Sequence, residues 1–253
     1  MTQNADKNQD NQQALNALKQ HGSKILWAII LVLAAFFGWQ YYQNHYAKVD
    51  VVAADSYASI SQRNDAVILA EQNPDLDDTA KKALADDKAR LYTDIDKLVA
   101  EHGDSVYAWQ ALMLKARHQS DEEDYQAAAD SLNQAAAIKL DDAGLMAITD
   151  LRLAQVLLAK GDADGAKAVM QKALPEAFEA SKQEVLGDIY VAKNDIENAK
   201  AAYTAAWESL RDRQEERALL SLKLQSLGVE VEPISTPSVV IDEQSAQITE
   251  ATH

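Results

Sequence analysis

The sequence predicts an all-α protein: one N-terminal transmembrane helix followed by an α-solenoid of short helical repeats. Three observations carry this. An uninterrupted apolar run occupies residues 25–39. Small residues recur at fixed steps through the middle of the chain. And the 253 residues include only 8 Gly and 4 Pro among abundant Ala and Leu, a balance that favours helices over turn-rich β structure.

Charge and cysteine content exclude several functions. Lys and Arg number 24 and Asp and Glu number 40, a net charge of −16 that a phosphate backbone would repel, so no nucleic-acid partner is expected. With no Cys there is no disulfide framework, no Cys-ligated metal and no thiol nucleophile.

The apolar run comes first. Residues 25–39 contain no charged or strongly polar side chain, and beyond Gln40 the run continues through Tyr41 and Tyr42. Eighteen residues at helical rise span about 27 Å, close to the ~30 Å hydrocarbon core of a bilayer. Ile25, Phe36 and Phe37 belong to its apolar body. Trp27 sits near one end and Trp39, Tyr41 and Tyr42 at the other, where amphipathic rings prefer the headgroup level. Bulky residues follow the run where a cleaved signal peptide needs small ones, so a retained signal anchor is expected over 25–42. The first 24 residues carry a net +1 and the remainder −17. Basic flanks stay on the cytoplasmic side, which makes 1–24 a cytoplasmic tail and places the rest outside.

Residues 43–104 read as membrane-proximal helices. One runs over 48–72 and ends at Asn73-Pro74, because proline disfavours helix in the residue before it. A second spans 79–101 and ends at His102-Gly103, with glycine suited to a left-handed residue past the helix end. Asp104 or Ser105 supplies the next N-cap.

The repeats occupy 105–228. Ala116, Ala128 and Ala135, then Ala154, Ala166 and Ala173, then Gly187, Ala199 and Ala206 form three trios with steps of twelve and seven. The trios recur after 38 and then 33 residues. Leu132, Met170 and Tyr203 share the slot four after the middle small residue. Gly161 and Asn194 hold a turn slot and each is followed by Asp; Glu123 fills that slot in the first and weakest repeat. Small residues at fixed places let two antiparallel helices approach closely. This is the pattern of tetratricopeptide repeats, whose period is about 34 residues.

Such units stack into a curved array whose concave face presents the first helix of each pair. Here that face should include Met113, Arg117, Ile148, Leu151, Gln155, Leu158 and Val191, with Gln110, Ser120, Glu184 and Asp188 beside them. It mixes apolar and acidic groups and lacks the Lys/Asn cluster that would hold a peptide C-terminus. An apolar groove for extended or partly unfolded segments is one reading; simple packing against neighbouring helices is the other.

No chemistry is visible. The five histidines form no i, i+4 pair, and each is expected at a surface or an interface. The stretch 162–165 (DADG) resembles the start of a calcium loop, but Ala173 stands where the bidentate Glu belongs. No phosphate-binding loop, nucleophile elbow or dinucleotide fingerprint occurs. No catalytic residue, cofactor or metal is expected. The tail, 229–253, has acidic residues, two prolines and no Lys or Arg, and reads as disordered. Its Val239-Val240-Ile241 stands out as an apolar triplet.

A short polar leader, an anchor ending in 38–42 (GWQYY), His45 and the repeat domain together resemble the YfgM family of ancillary SecYEG translocon subunits. The stretches 147–154 (AITDLRLA) and 193–200, and the closing helix near 220–227, also resemble that family. The likeness covers most of 10–228. The region 64–104 is longer than the family pattern, and the tail past Gly228 has no counterpart in it. The resemblance implies an inner-membrane protein, single-pass, with a periplasmic repeat domain. It implies association with the SecYEG translocon and with a PpiD-like membrane-anchored prolyl isomerase, and an accessory chaperone role towards unfolded secretory proteins. The family brings no catalytic residues. An envelope scaffold and a cytochrome-maturation assembly factor are the alternatives that anchored repeats leave open.

Overall fold

A computed structural model describes Trp27, residues 30–40 and residues 51–234. The chain divides into two compact units, residues 1–54 and 55–253. In the first, residues 30–40 form a helix, α1, with every residue exposed. Trp27, Phe36, Phe37 and Trp39 are all more than half exposed, and the Phe36 and Phe37 rings meet edge to face at 5.7 Å. Among the described residues no helix is long and apolar enough to cross a membrane. Ile25, Tyr41 and Tyr42 lie outside the described residues, so the span expected over 25–42 is described only in part.

The remaining helices are α2 (Val51–Glu71), α3 (Asp78–His102), α4 (Val106–Asp121), α5 (Tyr125–Ala137), α6 (Ala143–Ala159), α7 (Ala163–Met170), α8 (Glu179–Ala192), α9 (Ile196–Asp212) and α10 (Ala218–Ser226), with a 3₁₀ turn at Glu176–Phe178. The described residues contain no strand. From α3 onward each helix packs on the next, and α6 also meets α8.

In the second unit, Arg63 of α2 donates to Asp94 of α3 at 3.0 Å. Lys88 of α3 pairs with Glu71 at 2.5 Å and with Glu122 at 2.7 Å, linking α2, α3 and the turn after α4. Burial works against the charge of Lys88, yet its bonds to Glu122 and Glu71 hold its pKa above the ordinary lysine value. The cap before α4 is Ser105, whose Oγ accepts from the Ala108 amide at 3.1 Å. Gly103 differs from expectation. Its φ is −65°, so it is not left-handed; a Cβ there would lie 2.7 Å from the Val99 carbonyl oxygen, and close approach is what requires glycine.

The three repeat turns share one geometry. Glu123, Gly161 and Asn194 have φ of 62°, 92° and 56°. The Asp after each donates its amide back to a carbonyl of the preceding helix at 2.8 Å: Asp124 to Gln119, Asp162 to Leu157 and Asp195 to Tyr190. Each Asp side chain then caps the next helix, accepting from the amides of Ala127, Gly165 and Asn198 respectively. A left-handed residue closes the first helix and a capping Asp starts the second.

Three apolar clusters follow one another along the stack. Leu112, Ala116, Leu132 and Val156 lie in the first, which spans α4, α5 and α6. Leu151, Ala154, Met170 and Ile189 lie in the second, spanning α6, α7 and α8. Tyr203, Trp207, Leu220 and Ile234 lie in the third, which joins α9 and α10. Ala116, Ala128, Ala135, Ala154, Ala166, Gly187, Ala199 and Ala206 are all buried. Ala173 is not: it is exposed in the turn after α7. The helix stops at Met170; Pro175 disfavours helix at Leu174, and the chain passes through the 3₁₀ segment instead. The second helix of the middle repeat is therefore short.

Candidate functional site

The first helices of the repeats, α4, α6 and α8, line a groove made of three adjoining cavities. The largest, about 490 Å³, has Met113, Ala116, Leu132 and Val156 in its wall and Arg117, Arg152 and Gln155 among its lining residues. A second, about 320 Å³, adds Tyr57, Trp109 and Ile148. The third, about 400 Å³, reaches towards α10 and includes Leu151, Phe178, Glu184 and Leu219. Met113 and Arg117 border the first two, Ile148 the last two, and Gln155 the first and third; Arg152 borders all three.

Buried hydrogen bonds set the wall. Trp109 Nε1 donates to Thr149 Oγ1 at 2.8 Å, and the Thr149 hydroxyl donates to the Leu145 carbonyl at 2.9 Å. This bond fixes α4 against α6 and holds Met113 and Ile148 on facing walls. Lys172 donates to Asp150 at 2.6 Å behind the groove. His118, expected at a surface or interface, is buried with 4% exposure, and its Nε2 lies 2.7 Å from Asn64 Oδ1. A neutral ring protonated at Nε2 donates to that oxygen. Burial lowers the pKa of His118 below the ordinary histidine value.

The acidic groups assigned to this face are neutralised. Glu184 accepts from Arg217, the residue before α10, at 3.3 Å and from Lys223 of α10 at 3.0 Å. Asp188 pairs with Lys223 at 2.8 Å and accepts from the Tyr203 hydroxyl at 2.6 Å. Burial opposes the charge of Lys223, but its bonds to Asp188 and Glu184 outweigh that and raise its pKa. The groove's uncompensated charge is cationic instead. Arg152 makes no ion pair among the described residues, and Arg117 reaches only Asp121, one turn along its own helix, at 3.7 Å.

Of the residues the sequence placed here, Met113, Arg117, Ile148, Leu151 and Gln155 border the groove. Two do not. Leu158 is half-buried and packs into the α6–α8 cluster, while Val191 is exposed and outside all three cavities. Arg152 and Tyr57 were not anticipated. Arg152 lies four residues after Ile148 and three before Gln155, the spacing of one helix face. Tyr57 belongs to a helix outside the repeats, and its sequence carries no such signal. Among the described residues no cluster of three or more potential ligands can hold a metal ion.

Residues 17–229 match a protein family described as a tetratricopeptide repeat-like domain. Curated relatives that match most of the chain carry the name ancillary SecYEG translocon subunit. The one from Haemophilus influenzae is 32% identical over 222 residues, covering 86% of this chain and 98% of its own. That from Aggregatibacter actinomycetemcomitans is 27% identical, covering 86% of this chain and 98% of its own. That from Escherichia coli is 26% identical, covering 75% of this chain and 82% of its own. No solved structure matches the chain significantly.

Proposed function

The chain belongs to the tetratricopeptide repeat-like family of ancillary SecYEG translocon subunits, and we propose that it works there as a non-enzymatic accessory chaperone. Residues 25–42 anchor it once in the inner membrane, with 1–24 cytoplasmic and the repeats in the periplasm. The exposed apolar face of α1, including Phe36, Phe37 and Trp39, supports that reading, since such a surface is unfavourable in water and neutral in lipid. The groove along α4, α6 and α8 receives extended segments of unfolded secretory proteins as they leave SecYEG. A PpiD-like prolyl isomerase is the expected membrane partner.

The observation that carries the proposal is the groove itself: three connected cavities with apolar walls, on a chain whose relatives are named for the translocon. A binary test uses two residues on its rim. Ile148→Asp places a charge among its apolar walls, and Arg152→Glu inverts the charge at the junction. Each should weaken binding of a fluorescently labelled unfolded secretory protein roughly tenfold, about 1.4 kcal/mol, while the far-ultraviolet circular dichroism stays unchanged. Unaltered binding by both folded variants contradicts a client groove.

A further inference from the structure

The cavity of about 320 Å³ between α2, α4 and α6 differs from its neighbours in charge. Arg117 and Arg152 both line it, and no Asp, Glu or Lys does. The largest cavity also holds Asp121, and the one towards α10 holds Glu184 and Asp188 with Arg217 and Lys223. Two guanidinium groups therefore share one space with apolar walls, Met113 of α4 and Ile148 of α6, bordered by the rings of Tyr57 and Trp109.

A shortage of carboxylates does not explain this, because the chain has 40 Asp and Glu against 24 Lys and Arg. Other cations near the groove are matched: Arg217 by Glu184, Lys223 by Glu184 and Asp188, and Lys172 by Asp150. Arg152 makes no ion pair among the described residues. The pair of Arg117 with Asp121 is 3.7 Å long, between side chains 66% and 68% exposed, and such a pair contributes little. Both guanidinium groups keep donors in hand, in the planar fork that matches a carboxylate. Each neighbouring cavity shares Arg152 with this one, so a bound chain has room to run on past the arginines. The carboxylate that fits is a side chain within a segment, not a chain end.

We propose that this cavity is a subsite for a Glu or Asp side chain of the bound segment. Arg152 and Arg117 donate to its oxygens, and Met113 and Ile148 hold the aliphatic residues beside it. The groove then selects segments in which a carboxylate interrupts an apolar run, and rejects those with Lys in that place. The subsite rests on the groove's reception of extended clients and adds which of them it prefers.

Three peptides of one length test this, each with a central Glu, Gln or Lys among Leu, Val and Ala, and with both ends blocked so that no terminal charge competes. Their binding to the full chain, held in nanodiscs of zwitterionic lipid, is followed by fluorescence anisotropy. The Glu peptide should bind roughly tenfold tighter than the Gln peptide, and the Lys peptide weakest of all. With Arg117→Gln and Arg152→Gln together, the Glu and Gln peptides should bind alike. With Arg117→Gln and Arg152→Glu together, the Lys peptide should bind best, a gain that a misfolded chain would not show. Equal binding of the three peptides by the native chain overturns the subsite and leaves the client groove standing; no binding by any of them overturns both. A Glu preference that survives Arg117→Gln with Arg152→Gln also overturns it, since the carboxylate is then held elsewhere.

Discussion

Gly187 and Tyr203 are coupled by sterics. A Cβ on Gly187 would lie 2.2 Å from Tyr203 Cε1, and the tyrosine cannot swing away because it is buried and its hydroxyl is bonded to Asp188. In the other two repeats the same two slots hold Ala116 with Leu132 and Ala154 with Met170, smaller or more pliable partners. Gly187→Ala should therefore cost about 1–3 kcal/mol, the usual range for overpacking. In a double-mutant cycle measured by urea unfolding, Tyr203→Met should recover part of that loss, whereas additive effects would contradict the coupling. His118 gives a pH signature at the same scale. Its folded pKa is lowered from 6.5, so the unfolded chain binds the proton more readily. Its contribution is full above about pH 6.5 and is lost as pH falls from there through the folded value. Unfolding free energies at pH 5.5 and 7.5 should differ in that direction, and His118→Gln should shrink the difference. At this scale the small residues were legible in the sequence because their spacing repeats. The burial of His118 was not, since its partner Asn64 lies 54 positions away in a helix outside the repeats.

The turns are the elements with the clearest energetics. Glu123 and Gln214 are non-glycine residues with φ of 62° and 55°, each closing a helix. Left-handed backbone costs such residues energy that glycine avoids. Glu123→Gly and Gln214→Gly should each raise stability by about 0.5–1 kcal/mol, against the general rule that glycine destabilises. Removing the caps acts the other way: Asp124→Ala or Asp162→Ala should each cost about 1 kcal/mol in the same unfolding assay. Helix order and turn positions were readable from the recurring Asp and the trio steps, even in the first repeat, where Glu123 adopts the conformation that glycine holds at position 161. The shortness of α7 was hidden by the repeat pattern itself. Ala173 keeps the spacing, but Pro175 two residues later disfavours helix just before it, and the local rule prevails over the periodicity. Val191 and Leu158 lie outside the three cavities because helical spacing assigns a face but not which part of it a neighbouring helix covers: Leu158 packs into the α6–α8 cluster and Val191 faces outward.

Across the whole molecule, three clusters in sequence, each shared between neighbouring helices, make the repeat region a chain of local interfaces. Its surface charge also changes meaning. A net −16 suggests repulsion of any acidic segment, yet the groove holds Arg152, which has no ion pair among the described residues, beside Arg117, whose one pair is with Asp121 of its own helix. That local field offers specificity to a chain that would otherwise bind apolar segments alone. Composition concealed it, because an average over 253 residues carries no position. The central claim, that this groove receives secretory chains at the translocon, is tested most directly by site-specific photo-crosslinking in intact membranes. A photoreactive residue at Gln155 should capture a translocation-arrested secretory chain, and one at Glu197 should not. Equal capture from both positions, or capture from Glu197 alone, would contradict the account.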